Sequence, residues 1–298
     1  MQFDIFKIIE ILKNKRIIII LITFIGTLLG LMISLNLPNT YISKAVLVPS
    51  SQSKTSNVTS QLSGFASLAG VSLPADETNR TDNAIEIIKS FNFFEKYIYE
   101  NNFFYYLMAA DGWDKKTNTL TIDSSMYDQK TKKWISKSAN NIDGRPSTQE
   151  AHQVFLDNLS ISKRKATSIV EISIKHFSPN VAKTFLDQLL IDINETIRES
   201  DIQDSIRRLK FLEEEIQKTQ LSEVKEQLAS LIQTQVQTIM LAKQNPEYVF
   251  KVLSTPISPE IKSGPQRAMI IILCFLLSNI LSMIFVIAHH IIKNASNR

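Results

Sequence analysis

Two uncharged apolar runs, residues 17–37 and 268–292, bracket this chain of 298 residues. Each reaches the roughly 20 residues that a helix needs to cross the hydrocarbon core of a bilayer. The pair predicts a membrane protein with two spans and one large loop, and it confines folded structure to that loop. Residues 1–16 and 293–298 are expected to be short tails.

Basic residues beside the spans set the expected orientation, because Lys and Arg are retained on the cytoplasmic side. Lys7, Lys13, Lys15 and Arg16 precede the first run and Lys293 and Arg298 follow the second, against Asp4 and Glu10. These tails carry the whole net charge of +4, so the rest of the chain is electrically balanced. The positive excess is a topology signal, and no basic patch remains from which to argue for nucleic acid as a partner. Residues 34–38 offer no small-x-small cleavage site, so an uncleaved anchor is expected rather than a signal peptide. Both termini are then cytoplasmic, and the loop is periplasmic in a two-membrane bacterium. The one cysteine, Cys274, lies in the second run, so the outer domain is expected to rely on its own core.

Within the loop, residues 38–177 read as the first part of an α/β base domain. Residues 41–49 alternate well enough to form a strand that ends at Pro49. Residues 50–63 are rich in Ser, Thr, Gln and Asn and predict a loop, and the small apolar stretch 64–71 predicts a packing turn. A helix is expected from Asp82, its cap, to Glu100, with apolar positions at Ala84, Ile85, Ile88, Phe91, Phe94, Tyr97 and Ile98. The rings of Phe103, Phe104, Tyr105 and Tyr106 have no basic residues among them and are assigned to the core. Residues 111–146 are polar and turn-rich, anchored by Trp113 and Trp134. Thr148 is expected to cap a helix running to about Asn158. Strands follow at 159–162 and 168–177, the second with Val170, Ile172 and Ile174 on one side.

Ser178 and Pro179 announce a helix, Ser as cap and Pro at the first helical position. After Pro179 no Gly or Pro appears until Pro246, and the stretch 178–245 is read as a long helical hairpin turning at 219–222. Residues 181–197 are expected to pack on the sheet. Beyond them, Ile202, Ile206, Leu209, Leu212 and Ile216 are expected to face Val224, Leu228, Leu231, Ile232 and Ile239 on a returning helix capped by Ser222. Residues 246–267 complete the loop with a return strand, expected to pair with 41–49, and a proline-rich strap.

Chemistry-bearing constellations are scarce. His152 and His176 are isolated, and His289 and His290 fall at the end of the second run. There is no Gly-rich phosphate loop, and neither metal-ligand spacing nor a cofactor motif is present. The chain therefore reads as non-enzymatic. Two other features carry mechanism. Gly26, Gly30 and Ser34 form a small-residue ridge of the kind that lets helices approach closely in a bilayer, against the second span or a neighbouring subunit. The strap at 255–267 contains Pro256, Pro259 and Pro265 and ends on Arg267, and its prolines deny helix and favour an extended course.

At these residues the chain resembles the polysaccharide co-polymerases, the Wzz-type chain-length determinants of bacterial O-antigen synthesis. Pro256, Pro259, Pro265 and Arg267 fall on that family's proline-rich approach to its second span. The opening stretch from Asp4 to Pro38, the segment 65–70 and the helix over 85–97 are also similar to it. One departure is that the close-packing glycines lie in the first span, whereas the second has Ser278, Asn279 and Ser282. The resemblance implies an α+β membrane protein with two transmembrane helices flanking a periplasmic α/β base and a long projecting hairpin. It further implies a non-catalytic inner-membrane protein that assembles as a homo-oligomeric ring. Its partners would be a membrane polysaccharide polymerase, a lipid-linked glycan or growing polysaccharide, and membrane lipid. Export of capsule or exopolysaccharide, or a membrane-tethered enzyme or sensor, are the alternatives.

Overall fold

The computed structural model describes residues 13, 15–50, 77–135, 144–164 and 168–296, with backbone alone at 77–79 and 290–296. The expected loop at 51–63 and the packing turn at 64–71 lie outside the described residues. The chain divides into two compact units, one formed by residues 1–40 with 261–298 and the other by residues 41–260.

The first unit contains helices α1 (Arg16–Asn36) and α8 (Arg267–Ser296), which pack on each other. Their apolar windows have mean hydropathies of 2.7 and 2.8, yet only 17% and 11% of those windows are buried in the protein. Ile17, Phe24, Leu28, Met32, Leu273, Leu277 and Ile284 all stand open. Apolar faces this long and this bare require lipid to cover them, which makes the chain a membrane protein. Helix α8 runs past the expected end of the second span, since no Gly or Pro follows to stop it.

The second unit is built on strands β1 (Tyr41–Pro49), β6 (Leu159–Lys163), β7 (Val170–His176) and β8 (Phe250–Ser254). They form one antiparallel sheet in the order β6-β7-β1-β8, so residues far apart in sequence meet at its centre. Ala45 lies opposite Ile172 and Leu47 opposite Val252. Strand alternation buries Tyr41, Ser43, Ala45 and Leu47 on β1, with Val170, Ile172, Ile174 and His176 on β7. The return strand pairs with β1 as expected, through Val46 to Pro49.

Between β1 and β6 come α2 (Glu77–Lys89), α3 (Phe91–Glu100), the short α4 (Phe104–Met108) and α5 (Thr148–Asn158). Two ribbons, β2 (Ala110–Asp114) with β3 (Thr119–Ile122) and β4 (Tyr127–Asp128) with β5 (Lys133–Trp134), occupy the turn-rich stretch. The single helix expected from Asp82 is in fact two. It begins at Glu77 and breaks at Ser90, whose extended backbone and side chain, accepting from Phe93 N, start α3 afresh. The cap of α5 is Ser147 rather than Thr148. Ser147 Oγ accepts from Glu150 N at 3.1 Å and Glu150 Oε2 accepts from Ser147 N at 2.9 Å, a reciprocal capping box. Phe103 and Phe104 are core residues as expected, whereas Tyr106 is 40% exposed.

Helix α6 (Pro179–Lys218) opens as the Ser-Pro pair predicts, with Ser178 accepting from Val181 N. Its first half places Ala182, Phe185, Leu186, Leu189, Leu190, Ile193 and Ile197 in the core formed with the sheet, α2 and α3. There is no break after Ile197. The helix continues for 40 residues, about 60 Å at the α-helical rise, and the Arg198–Glu195 pair bridges the junction. Helix α7 (Ser222–Gln244) then packs back along it, so the hairpin exists. Three details of the expected seam differ. Ser222 is the first helical residue, and the preceding Leu221 provides no side-chain cap. Ile206 is 46% exposed, and Ser205 is buried in the place assigned to it, because spacings of three and four from Ile202 lead to Ser205, Leu209, Leu212 and Ile216. On α7, Val224 is exposed while Gln235 and Ala242 are buried.

Candidate functional site: the span seam and the proline strap

Close approach of α1 and α8 depends on what is missing from α1. A Cβ on Gly26 would sit 1.9 Å from Ser278 Oγ, and one on Gly30 would sit 2.6 Å from Cys274 Cβ. These distances leave no room for any side chain larger than hydrogen. Thr23 and Ser282 are buried across the same seam with their hydroxyls 3.5 Å apart, and Thr27 Oγ1 donates to Thr23 O at 2.7 Å. Ser34, one helical turn beyond Gly30, is fully buried, and among the described residues its hydroxyl has no hydrogen-bond partner. The expected ridge of Gly26, Gly30 and Ser34 thus lies along the face turned to the second apolar helix. The second helix answers it with Cys274, Ser278 and Ser282 rather than with glycine.

The strap is divided between the two units. In the first unit, Thr40 and Gly264 form an antiparallel bridge, with Thr40 N donating to Gly264 O at 3.0 Å and Ser263 N donating to Thr40 O at 2.8 Å. A Cβ on Gly264 would lie 3.0 Å from Thr40 Oγ1, a tight contact that the threonine hydroxyl would have to yield to. Pro265 follows directly. Arg267, the first residue of α8, donates from Nη2 to Leu37 O at 3.4 Å and to Asn39 Oδ1 at 3.2 Å. Lys262 Nζ reaches the same Asn39 oxygen at 3.5 Å. The guanidinium thereby ties the start of the second apolar helix to the exit of the first.

In the second unit, Pro256 is buried and Ile257 O accepts from Ser43 Oγ at 2.9 Å. Next to it, Ser258 Oγ donates to Asn180 Oδ1 at 2.8 Å, and Asn180 Nδ2 donates to Asn118 Oδ1 at 3.1 Å. Trp113 Nε1 donates to that same Asn118 oxygen at 3.1 Å, and the Trp113 ring meets Tyr41 edge-on at 5.3 Å. Pro259 is only partly buried. Thus Pro256 and Pro259 belong to a stretch fastened to β1 and to the start of α6. Pro265 and Arg267 belong to a stretch fastened to the foot of α1.

Two buried polar residues tie elements of the second unit together: His176, which the sequence shows only as an isolated histidine, and Asn194. His176 ends β7 and is buried; its Nδ1 accepts from Ser178 N at 3.0 Å, which makes Nε2 the protonated nitrogen that donates to Tyr106 O at 2.9 Å. Burial pushes its pKa below the ordinary 6.5, against smaller opposing effects of the two backbone hydrogen bonds. A neutral ring in this tautomer serves both contacts. Asn194, on the core face of α6, accepts from Val249 N at 2.8 Å and Phe250 N at 2.9 Å, and donates to Leu190 O and Phe250 O. A lone Asn beside Ile193 on an apolar helix face was the available signal for it. Among the described residues, no group of three His, Cys, Asp or Glu side chains is placed to hold a metal ion.

The arrangement defines a class, a membrane protein with two long apolar helices and an α/β domain that carries a long helical hairpin. Residues 1–101 match the family model Wzz, chain length determinant protein. The match covers α1, β1, α2 and α3. Among solved structures, the chain is similar to a full-length bacterial polysaccharide co-polymerase, at 11% identity over 96% of this chain and 97% of that one, with a TM-score of 0.38. It is also similar to a fragment of WzzB, a polysaccharide co-polymerase from Salmonella Typhimurium, at 12% identity over 76% of this chain and 100% of that one, with a TM-score of 0.27. No curated protein matches it.

Proposed function

We propose that this protein is a non-catalytic regulator of polysaccharide chain length in the inner membrane, setting the modal length of O-antigen made by a partner polymerase. The observation that carries the reading is the chain-length-determinant match over residues 1–101. In this reading both tails are cytoplasmic, the α/β domain and hairpin are periplasmic, and copies of the chain assemble as a ring around the growing lipid-linked glycan. Exposed apolar side chains on the hairpin support assembly. Phe211 and Met240 are 62% and 65% exposed, and Ile206 and Val236 accompany them. The clasp at Thr40, Gly264 and Arg267 gives such an assembly a fixed footing.

Deletion of the gene followed by gel display of surface polysaccharide tests the proposal. Polymer is expected to persist while its modal length cluster disappears. Complete loss of surface polymer would favour an export component instead, and an unchanged ladder would remove the chain from length control altogether.

A further inference from the structure

Arg267 stands immediately before the second apolar run and donates to the carbonyl of Leu37, the last residue of the first. Its guanidinium therefore lies where both runs leave the hydrocarbon core, at the depth of lipid headgroups. Lys262 joins it, because both cations reach the single Asn39 Oδ1, at 3.2 Å from Arg267 and 3.5 Å from Lys262. That oxygen belongs to a neutral amide, so two positive charges converge on an acceptor that balances neither. The sequence supplies little else nearby: no Asp or Glu occurs over residues 11–75, and none follows Glu260. Glu260 itself is exposed, and neither cation forms an ion pair among the described residues. Arg267 Nε is enclosed without a partner there, and the first turn of α8 has no acidic residue to offset the positive end of the helix. Elsewhere the protein pairs its cations, as in Lys44 with Glu171, Arg80 with Asp201 and Lys163 with Asp82.

We infer that Lys262, Arg267 and Asn39 form a site for the phosphate of an anionic membrane lipid. Phosphate is the anion that every phospholipid bilayer presents at this depth, and Arg offers it a planar fork of donors while Lys adds a point charge. Asn39 gathers the two cations without cancelling them, a task an aspartate in its place would defeat. Zwitterionic headgroups offset their own phosphate, so the site favours lipids with net negative charge. The inference stands on the ends of the two apolar helices and is independent of chain-length control. Bulk phospholipid and a lipid-linked glycan both carry phosphate on a lipid, and competition between them separates the sources.

The test uses the full-length chain carrying Cys274→Ser and Ile261→Cys, reconstituted in phosphatidylcholine vesicles. A bimane fluorophore is attached at position 261, where the native side chain is 82% exposed and adjoins Lys262. Quenching by phosphatidylglycerol with a nitroxide high on its acyl chain is compared with quenching by phosphatidylcholine bearing the same group. Each basic residue at a lipid surface strengthens the attraction about fivefold, so phosphatidylglycerol is expected to associate about 5- to 25-fold more strongly. Lys262→Gln and Arg267→Gln should each lower that preference about fivefold. Asn39→Asp puts a carboxylate between the cations and should erase it while leaving them fastened. A clasp that only held the helices together would be unharmed by Asn39→Asp, so this variant separates the two roles even where Arg267→Gln misfolds. Equal quenching by the two lipids in the parent protein, or a preference that survives Asn39→Asp, would overturn the inference. Unlabelled phosphatidylglycerol and a polyprenyl diphosphate are then added as competitors. Whichever relieves quenching at the lower mole fraction upholds the site and names the source of its phosphate, and relief by neither overturns it.

Discussion

Replacing Asn194 by Leu, which has nearly its size, tests how β8 is held to the long helix. The substitution removes the acceptor of Val249 N and Phe250 N, at 2.8 and 2.9 Å, in a site where Asn194 is 5% exposed. Each buried N–H left without a partner costs roughly 1–3 kcal/mol, so the two together cost about 2–6 kcal/mol. The donors lost at Leu190 O and Phe250 O add little, since the first carbonyl already sits in a helix and the second bond is 3.3 Å long. Burying leucine instead of asparagine returns on the order of 1 kcal/mol. The net loss is about 1–5 kcal/mol, against the 5–15 kcal/mol that typically holds a domain together. Thermal unfolding of the purified protein should show it, and hydrogen exchange should localise it, with the Val249 and Phe250 amides losing protection before those of β7. A variant that melts within about half a kcal/mol of wild type, with both amides still protected, would refute the reasoning.

The remaining predictions concern pH and the spans. His176 is held neutral and its folded pKa lies below the ordinary 6.5, so the unfolded chain takes up a proton first as the pH falls. Its stabilising contribution is therefore complete above about pH 6.5 and is lost as the pH drops toward the folded pKa; melting temperature should fall on acidification, and His176→Gln should flatten that dependence. In the spans, Gly26→Leu drives a side chain into Ser278 and should cost about 1–3 kcal/mol of helix pairing. Crosslinking between cysteines placed at Thr23 and Ser282 should drop in that variant but not in Leu28→Val, which changes a side chain 47% exposed on the lipid face; equal yields in the two would dismiss the seam.

Much of this architecture can be read from residue order, because its signals are local. The apolar runs, the alternation of Val170, Ile172 and Ile174 and the Ser178-Pro179 start each depend on neighbours in sequence. The differences have two physical sources. Ser90, Ser147 and Ser222 compete with adjacent residues for the same cap, and a one-residue difference in backbone geometry settles the choice. Ile206 is more apolar than Ser205, but helical phase rather than hydrophobicity selects the residue that faces α7. The clasp was legible only as a proline pattern. Its actual fastenings, Asn39 with Arg267 and Asn118 with Asn180, join segments that only the fold brings together.

Strand β8 lies at one border of its sheet, a place where an open row of backbone groups ordinarily invites a foreign strand. Here the amides of alternate residues are already spoken for from within the chain. Phe250 N is taken by Asn194, Val252 N by Glu247 Oε1 at 3.1 Å, and Pro256 ends any further extension. The border is thus closed to stitching, and another copy gains no template for continuing the sheet there. Molecules that crowd together in a membrane at high local density can then meet through their helices without zippering into a continuous, irreversible ribbon.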